Sequence, residues 1–191
     1  YLHKKLILLG SFCLLTLAGC DEEEYLDLTN PNAVDQETFW QSPEAPHRVV
    51  AGAYSWLRDG TLYGDFYDFY PNLTVDDWDH GPFFDWQELK TLNVLPITRS
   101  ARTIWSGWYG MIARCNDALE NIPQMPAGLI SAEEERELMA QAYFLRGFAY
   151  FRLLQLYGEY YPDQDRSALG VILYTEVPRT EEAMFQPRAT V

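Results

Sequence analysis

Cysteine is scarce in this sequence, and the thiol that stays in the body of the chain has no obvious catalytic partner. There are 3 cysteines in 191 residues. Cys13 and Cys20 lie near the N-terminus, so Cys115 is the single thiol in the rest of the chain and has no intrachain disulfide partner there. Because no histidine is close enough in sequence to activate it, we expect Cys115 to be a small buried residue on a helix.

Basic residues and nucleotide- or metal-binding motifs are also in short supply. The 14 lysines and arginines face 28 acidic residues, and the formal net charge is −14. Such a surface repels phosphate backbones, which excludes nucleic acid as a partner. A glycine-rich phosphate loop, a Gly-x-Ser-x-Gly elbow and a metal motif are absent. We therefore expect no cofactor, no bound metal and no enzyme activity, although so many carboxylates leave a glycosidase open as an alternative.

The N-terminal segment has the pattern of a bacterial lipoprotein signal. Two lysines precede the apolar run Leu6–Thr16, which is too short to span a bilayer, and the run leads to Leu17-Ala18-Gly19-Cys20. Small residues before a cysteine suit a signal peptidase, and the thiol can carry a diacylglyceryl group. We predict a signal peptide over residues 1–19 and a lipid anchor on Cys20, held stably by two or more acyl chains such as palmitate.

The residues after Cys20 predict an arm followed by a helical domain. The acidic run Asp21–Glu24 is either a solvated tether or a signal for export to the cell surface, and both interpretations stay open. We predict an acidic tether and extended arm over residues 20–41 and an α-helical domain over 42–191. Because Tyr1 stands where an initiator methionine is expected, we expect the chain to be part of a longer protein.

Three helices are predicted from periodicity and capping, and they indicate an all-α fold. Ser42-Pro43-Glu44 is typical of a helix start. Apolar residues recur at steps of three and four from Ile104 to Ile122, and Ser131 with Glu134 forms a capping box for a helix reaching Tyr157. The last two helices should pair antiparallel, as in tetratricopeptide-type repeats, although a lone hairpin is the alternative.

The third predicted helix carries apolar residues on two faces. One face contains leucines and alanines, and the other contains Phe144, Phe148 and Phe151. A helix that is apolar on two sides is expected to lie between two neighbours. Arg146 sits among these apolar residues, and we expect it to pair with a carboxylate inside the bundle.

Two segments carry a resemblance to a known family. Trp105-Ser106-Gly107-Trp108-Tyr109 leads into Ile112-Ala113-Arg114-Cys115-Asn116, and residues 142–153 read Ala-Tyr-Phe-Leu-Arg-Gly-Phe-Ala-Tyr-Phe-Arg-Leu, followed by Leu156-Tyr157-Gly158. Together with the lipoprotein signal, they resemble the N-terminal part of the SusD/RagB family of outer-membrane lipoproteins. The chain departs from the family pattern at Cys115 and Gly147, where alanine is usual, and at Ile172, where proline often follows Gly-Val.

The resemblance implies a fold and a function. The fold is all-α, with tetratricopeptide-like hairpins and long irregular loops. The function is capture of a nutrient at the cell outer membrane, most often a glycan, and delivery to a SusC-like TonB-dependent transporter. The alternatives are a helical-repeat scaffold for protein interactions and a peptide-binding lipoprotein.

The aromatic and acidic segment 76–86 is the candidate ligand site. Glycan capture needs flat apolar platforms for sugar rings beside oxygen acceptors for hydroxyl groups, and aromatic rings and aspartates supply these. We predict Trp78 and Trp86 as platforms, with Asp77 and Asp79 as acceptors. The competing interpretation is that these aromatics fill the core beneath the loop. The Asp-x-Asp spacing also suits calcium, but a full set of alternating ligands is missing.

Overall fold

The computed structural model describes residues 35–58, 62, 72–75, 79, 81, 84–159 and 167–190. The chain divides into two compact units, residues 1–36 and 37–191, and nearly all the described residues belong to the second. The predicted signal peptide, Cys20 and the acidic run that follows it lie outside the described residues.

The described residues are mainly helical, as the sequence predicts. The α-helices are α1 (Gln36–Phe39), α2 (Ala45–Arg58), α3 (Phe84–Lys90), α4 (Arg99–Asn121), α5 (Ala132–Tyr157) and α6 (Glu181–Met184). A short 3-10 helix, Ile122–Gln124, follows α4. Within the described ranges, β pairing is limited to one antiparallel bridge between Leu169 and Thr190. The all-α prediction is confirmed.

Helices α4 and α5 form the antiparallel hairpin that the sequence predicts. Pro123 lies in the 3-10 helix that ends α4. Ser131 and Glu134 form the predicted capping box, with each side chain accepting from the other residue's backbone N–H. At the open end of the hairpin, the Tyr157 hydroxyl donates to the Ala101 carbonyl at 2.6 Å. Helix α5 therefore starts and ends at the residues that the local sequence signals predict.

Helix α2 packs across the hairpin but begins later than predicted. It starts at Ala45, two residues after the predicted first position, because Ser42-Pro43-Glu44 forms a turn in which the Ser42 carbonyl accepts from the Ala45 N–H at 3.1 Å. Its start lies beside the start of α5, where His47 Nε2 is 2.7 Å from Glu134 Oε1. This hydrogen bond is the main reason that the pKa of Glu134 is lowered.

The core lies between α2, α4 and α5 in two adjoining clusters. One contains Trp108, Met111 and Cys115 of α4 with Leu145, Ala149 and Leu153 of α5. The other contains Val49 and Val50 of α2 with Ala118, Ile122, Leu138 and Ala142. Cys115 is fully buried, as predicted.

Glycines on α4 let neighbouring side chains approach closely. A Cβ atom on Gly110 would lie 2.7 Å from a carbon of the Trp56 ring, and one on Gly107 would lie 2.7 Å from Leu62. Since real Cβ atoms do not come so near to another carbon, alanine at either position would force the neighbouring side chain to move. The indole of Trp56 thus lies directly over the α4 backbone.

The second apolar face of α5 is exposed, so the prediction that this helix lies between two neighbours is wrong for the part of the chain that the structure describes. Phe144 is 67% exposed and Phe151 is 55% exposed, whereas Phe148 packs partly against the core. The described elements all pack on the other side of α5. The sequence pattern correctly marks the face as apolar but does not supply its partner.

Candidate functional site

The structure describes two of the four predicted ligand-binding residues, Asp79 and Trp86. Asp77 and Trp78 lie outside the described residues. The side chain of Asp79 is 83% exposed, and its Oδ1 accepts from Lys90 Nζ at 3.0 Å. Lys90 is one turn after Trp86 on α3, so the two residues share a helix face. The ion pair therefore brings Asp79 to the Trp86 side of α3.

A buried leucine and a hydrogen bond link helix α3 to the helical body. Leu89 is fully buried. The Thr98 hydroxyl, just before α4, donates to the Glu88 carboxylate and accepts from the Leu95 N–H at 3.0 Å. This arrangement sets the orientation of α3, and with it the position of the half-buried Trp86.

Helix α3 ends in a turn that costs backbone strain. Leu92 has φ 55°, in the left-handed region that a helix end normally gives to glycine. The Leu92 N–H donates to the Leu89 carbonyl, and the Asn93 N–H donates to the Glu88 carbonyl at 2.9 Å. Leu92 in the turn, and Leu95 and Ile97 in the residues that follow it, are exposed, so aliphatic side chains lie on the surface just after the candidate site in the chain.

This geometry suits non-covalent binding of a polar ligand with apolar faces. The Asp79 carboxylate is accessible, and Lys90 adds a donor on the same side. Among the described residues there is no group of three His, Cys, Asp or Glu side chains that could hold a metal ion. Burial raises the pKa of the Cys115 thiol to about 12, which makes it a poor nucleophile.

A second arrangement, which the sequence did not predict, holds residues 171–177 against α4 and α5. We call these residues the anchored loop. Asn116 is fully buried and donates to the carbonyls of Tyr174 and Glu176 at 2.8 and 3.1 Å. The Tyr109 hydroxyl donates to the Ile172 carbonyl at 2.8 Å. Three carbonyls of the anchored loop therefore pair with helix side chains, while the Val171 carbonyl accepts from the Ala189 N–H at 2.9 Å.

Arg146 completes this network, and its partner differs from the predicted carboxylate. Its Nη1 donates to Asn116 Oδ1 at 2.8 Å and to the Thr175 carbonyl at 3.0 Å. The guanidinium also lies over the Tyr143 ring, 5.2 Å from the centroid. The Asn116 side-chain amide and the Thr175 carbonyl are therefore the partners of Arg146, in place of the carboxylate that the sequence predicts. The position of the polar Asn116 inside the apolar stripe of α4 is the sequence signal from which this network could have been predicted.

The next residues of the chain line an open cavity of about 370 Å³. It is lined by residues between Leu173 and Gln186. Glu120 of α4 holds two of the lining residues, because its carboxylate accepts from the Val177 N–H and from Arg179 at 2.6 Å. The cavity is thus built on the anchored loop, and its lining includes none of the residues that the sequence proposed as ligand-binding.

No helix in the described part of the chain is long and apolar enough to cross a membrane. The fold and the site define a helical-hairpin protein whose candidate site combines the Trp86 indole, the Asp79 carboxylate and Lys90. A SusD-like family model, described as "Starch-binding associating with outer membrane", matches residues 24–191. The chain belongs to this SusD-like family, as the sequence resemblance predicts.

Individual relatives agree with this family. The chain is similar to SusD-like protein P38 of Formosa agariphila, with 26% identity over 88% of this chain and 30% of that protein. A SusD-like protein of Bacteroides ovatus is 23% identical over 83% of this chain and 28% of its own length. The chain therefore spans less than a third of these relatives.

The fold is similar to a solved structure as well. A Bacteroides vulgatus protein, described as a candidate sugar binding protein, superposes with a TM-score of 0.61. It is 24% identical, and the match covers 79% of this chain and 33% of that one. The match supports the helical fold, and it does not by itself assign a ligand.

Proposed function

We propose that this protein captures a glycan at the surface of the outer membrane and delivers it to a SusC-like TonB-dependent transporter. The observation that carries the proposal is the family match over residues 24–191. Binding is non-covalent and needs no enzyme activity and no cofactor. The lipid on Cys20 supplies the attachment, because the net charge of −14 disfavours electrostatic binding to anionic lipid.

The geometry around α3 supports a glycan as the ligand. Sugar rings present apolar C–H faces and a rim of hydroxyl groups. Trp86 offers an aromatic surface, and the exposed Asp79 carboxylate offers acceptors beside the Lys90 donor. Trp78 and Asp77 extend the same proposal to residues outside the described part of the chain.

A binding assay on the full-length protein tests this site. Trp86→Ala should weaken glycan binding by at least about tenfold, the equivalent of about 1.4 kcal/mol, because the sugar loses its platform. Isothermal titration calorimetry against a panel of oligosaccharides gives the affinity. Phe185→Ala, which removes an exposed ring just after α6, is the control and should leave binding unchanged.

The results separate the site from the function. Unchanged affinity in Trp86→Ala would contradict the site while leaving glycan capture intact. Co-purification with a barrel transporter without binding of any glycan would favour the peptide-binding alternative. Absence of both would favour a protein-interaction scaffold.

The anchor has its own test. In the native host, intact-mass analysis of the mature protein should find a lipidated Cys20 as the first residue. Cys20→Ser should release the protein from the outer-membrane fraction. Cys115→Ser is the control, because this thiol is buried and should not affect attachment.

A further inference from the structure

The open cavity beside the anchored loop has one wall that is fixed by side chains of the helix pair. Asn116 of α4 and Arg146 of α5 donate to the carbonyls of residues 174–176. The Glu120 carboxylate accepts from the Val177 N–H at 2.5 Å. These contacts hold the backbone of the lining without a ligand. The cavity is therefore preorganised, which lowers the entropic cost of filling it.

A tyrosine bridges the two segments that line the cavity. Tyr174 lies in the anchored loop, and its hydroxyl donates to the Met184 carbonyl at the end of α6 at 2.5 Å. The ring of Tyr109 packs against the Tyr174 ring, with centroids 5.6 Å apart and planes inclined by 75°. Tyr174 is itself part of the lining. An aromatic ring with a fixed orientation thus connects the two sides of the cavity.

The lining combines hydrogen-bonding groups with apolar ones. Its exposed polar side chains are those of Thr175, Glu176, Arg179 and Gln186. Leu173 and Pro178 add apolar surface. Hydroxyl, carboxylate, guanidinium and amide groups beside an aromatic ring suit a ligand that has both hydroxyl groups and apolar C–H faces.

Charge and size narrow the class of ligand further. Among the described residues that line the cavity, Arg179 is the only cation, and its guanidinium is paired with Glu120. Glu176 adds a second carboxylate, so a neutral ligand is favoured over a phosphate or sulfate ester. The volume of about 370 Å³ is at the lower end of the range of about 300–1,000 Å³ for small-molecule sites. It suits one or two sugar rings better than a long chain.

We propose that this cavity is a second sugar site, which binds a neutral mono- or disaccharide. The proposal rests on glycan capture as the function of the protein, but it uses none of the residues around α3. Thr98, which links α3 to the helical body, precedes α4, whereas Glu120 lies near the end of α4. At a rise of 1.5 Å per residue these two positions are about 30 Å apart, so either site can fail without the other.

Hydrogen exchange in the natural full-length protein tests the second site, because mass spectrometry follows residues 173–186 and residues 84–92 in separate peptides. The probes are glucose, galactose, mannose, N-acetylglucosamine and maltose. We expect at least one of them to slow exchange in residues 173–186 by at least about threefold. Ala183→Phe fills the cavity and should abolish this response. Ala132→Phe is the matched control, since it makes the same change at the exposed start of α5, and it should retain the response.

The two sites are separated by a further pair of variants. Trp86→Ala should leave the response of residues 173–186 unchanged, because Trp86 does not line the cavity. Gln186→Ala should weaken the response by removing an exposed amide from the lining, and it provides the same reading if Ala183→Phe loses its helical circular dichroism.

Three results would overturn the second site. A response of residues 84–92 alone would do so and leave the proposed function intact, whereas the absence of any response would count against both. An undiminished response in Ala183→Phe would show that the sugar binds elsewhere. Exchange in residues 173–186 that is as slow as in the core of α4 before sugar is added would show that the protein itself fills the cavity.

Discussion

Helices α4 and α5 are both long and rich in apolar residues, but their surroundings differ. Helix α4 is covered by α2, α3, α5 and the anchored loop, and its glycines lie under Trp56 and Leu62. Helix α5 is covered on one side, and Phe144 and Phe151 on its other side are exposed. Apolar periodicity thus identifies the faces that need cover, while only the three-dimensional packing shows which of them receive it from the described residues.

The largest expected effect comes from breaking the polar contact inside the covered helix. Asn116→Leu should lower the free energy of unfolding by about 2–4 kcal/mol, because two carbonyls of the anchored loop and the Arg146 guanidinium lose a buried partner. Chemical denaturation measures the loss. Hydrogen exchange at residues 174–177 should rise in the same variant.

Asn121→Ala is the matched control for that change. The Asn121 amide bonds only to Asp117, one turn back in the same helix. Its removal should cost less than about 1 kcal/mol and leave the anchored loop protected. Equal losses in the two variants would show that the network does not hold the loop.

A smaller effect comes from adding one methyl group to the covered helix. Gly110→Ala should lower the free energy of unfolding by about 1–2 kcal/mol, because the methyl group must displace the Trp56 ring. Gly52→Ala in α2 is the control. Nothing lies within 4 Å of its Cβ position, so alanine should stabilise that helix by about 0.5–1 kcal/mol.

Changes of opposite sign in the free energy of unfolding for Gly110→Ala and Gly52→Ala would sharpen the contrast between covered and open positions. Trp fluorescence provides an independent readout, because only Gly110→Ala should move an indole. A stabilising effect of alanine at both sites would contradict the packing of Trp56 on α4.

The smallest expected effect lies outside the helix pair, at the end of α3. Leu92→Gly should raise the free energy of unfolding by about 0.5–1 kcal/mol, because glycine adopts the left-handed conformation without strain. Leu95→Gly, three residues beyond Leu92 and without positive φ, should bring no gain. Thermal denaturation of both variants checks the difference, and a gain at both positions would argue against backbone strain.

Much of the fold could be predicted because its signals are local. The stripe of α4, the capping box of α5 and its end at Tyr157 each depend on residues within a few positions of one another. The start of α2 was placed two residues early because Ser42-Pro43-Glu44 satisfies both a helix start and a turn. Local signals do not distinguish these two conformations.

The remaining features depend on distant residues. The partners of Arg146 are 29 and 30 positions away, and one of them is a backbone carbonyl that no side-chain pattern reveals. In the candidate site, the sequence proposed Asp79 and Trp86 together, and the ion pair between Asp79 and Lys90 on the helix that carries Trp86 is seen only in the structure. Ligand binding by these residues stays a prediction.

The single amide of Asn116 also bears on the order in which the protein assembles. It bonds to Tyr174 and Glu176, which lie 58 and 60 positions further along the chain. It accepts in turn from Arg146 on the other helix of the hairpin. The loop can therefore dock only after both arms have met, since neither arm alone presents the complete set of donors. During refolding, the amide protons of this loop should acquire protection late, and their protection reports that the hairpin has closed.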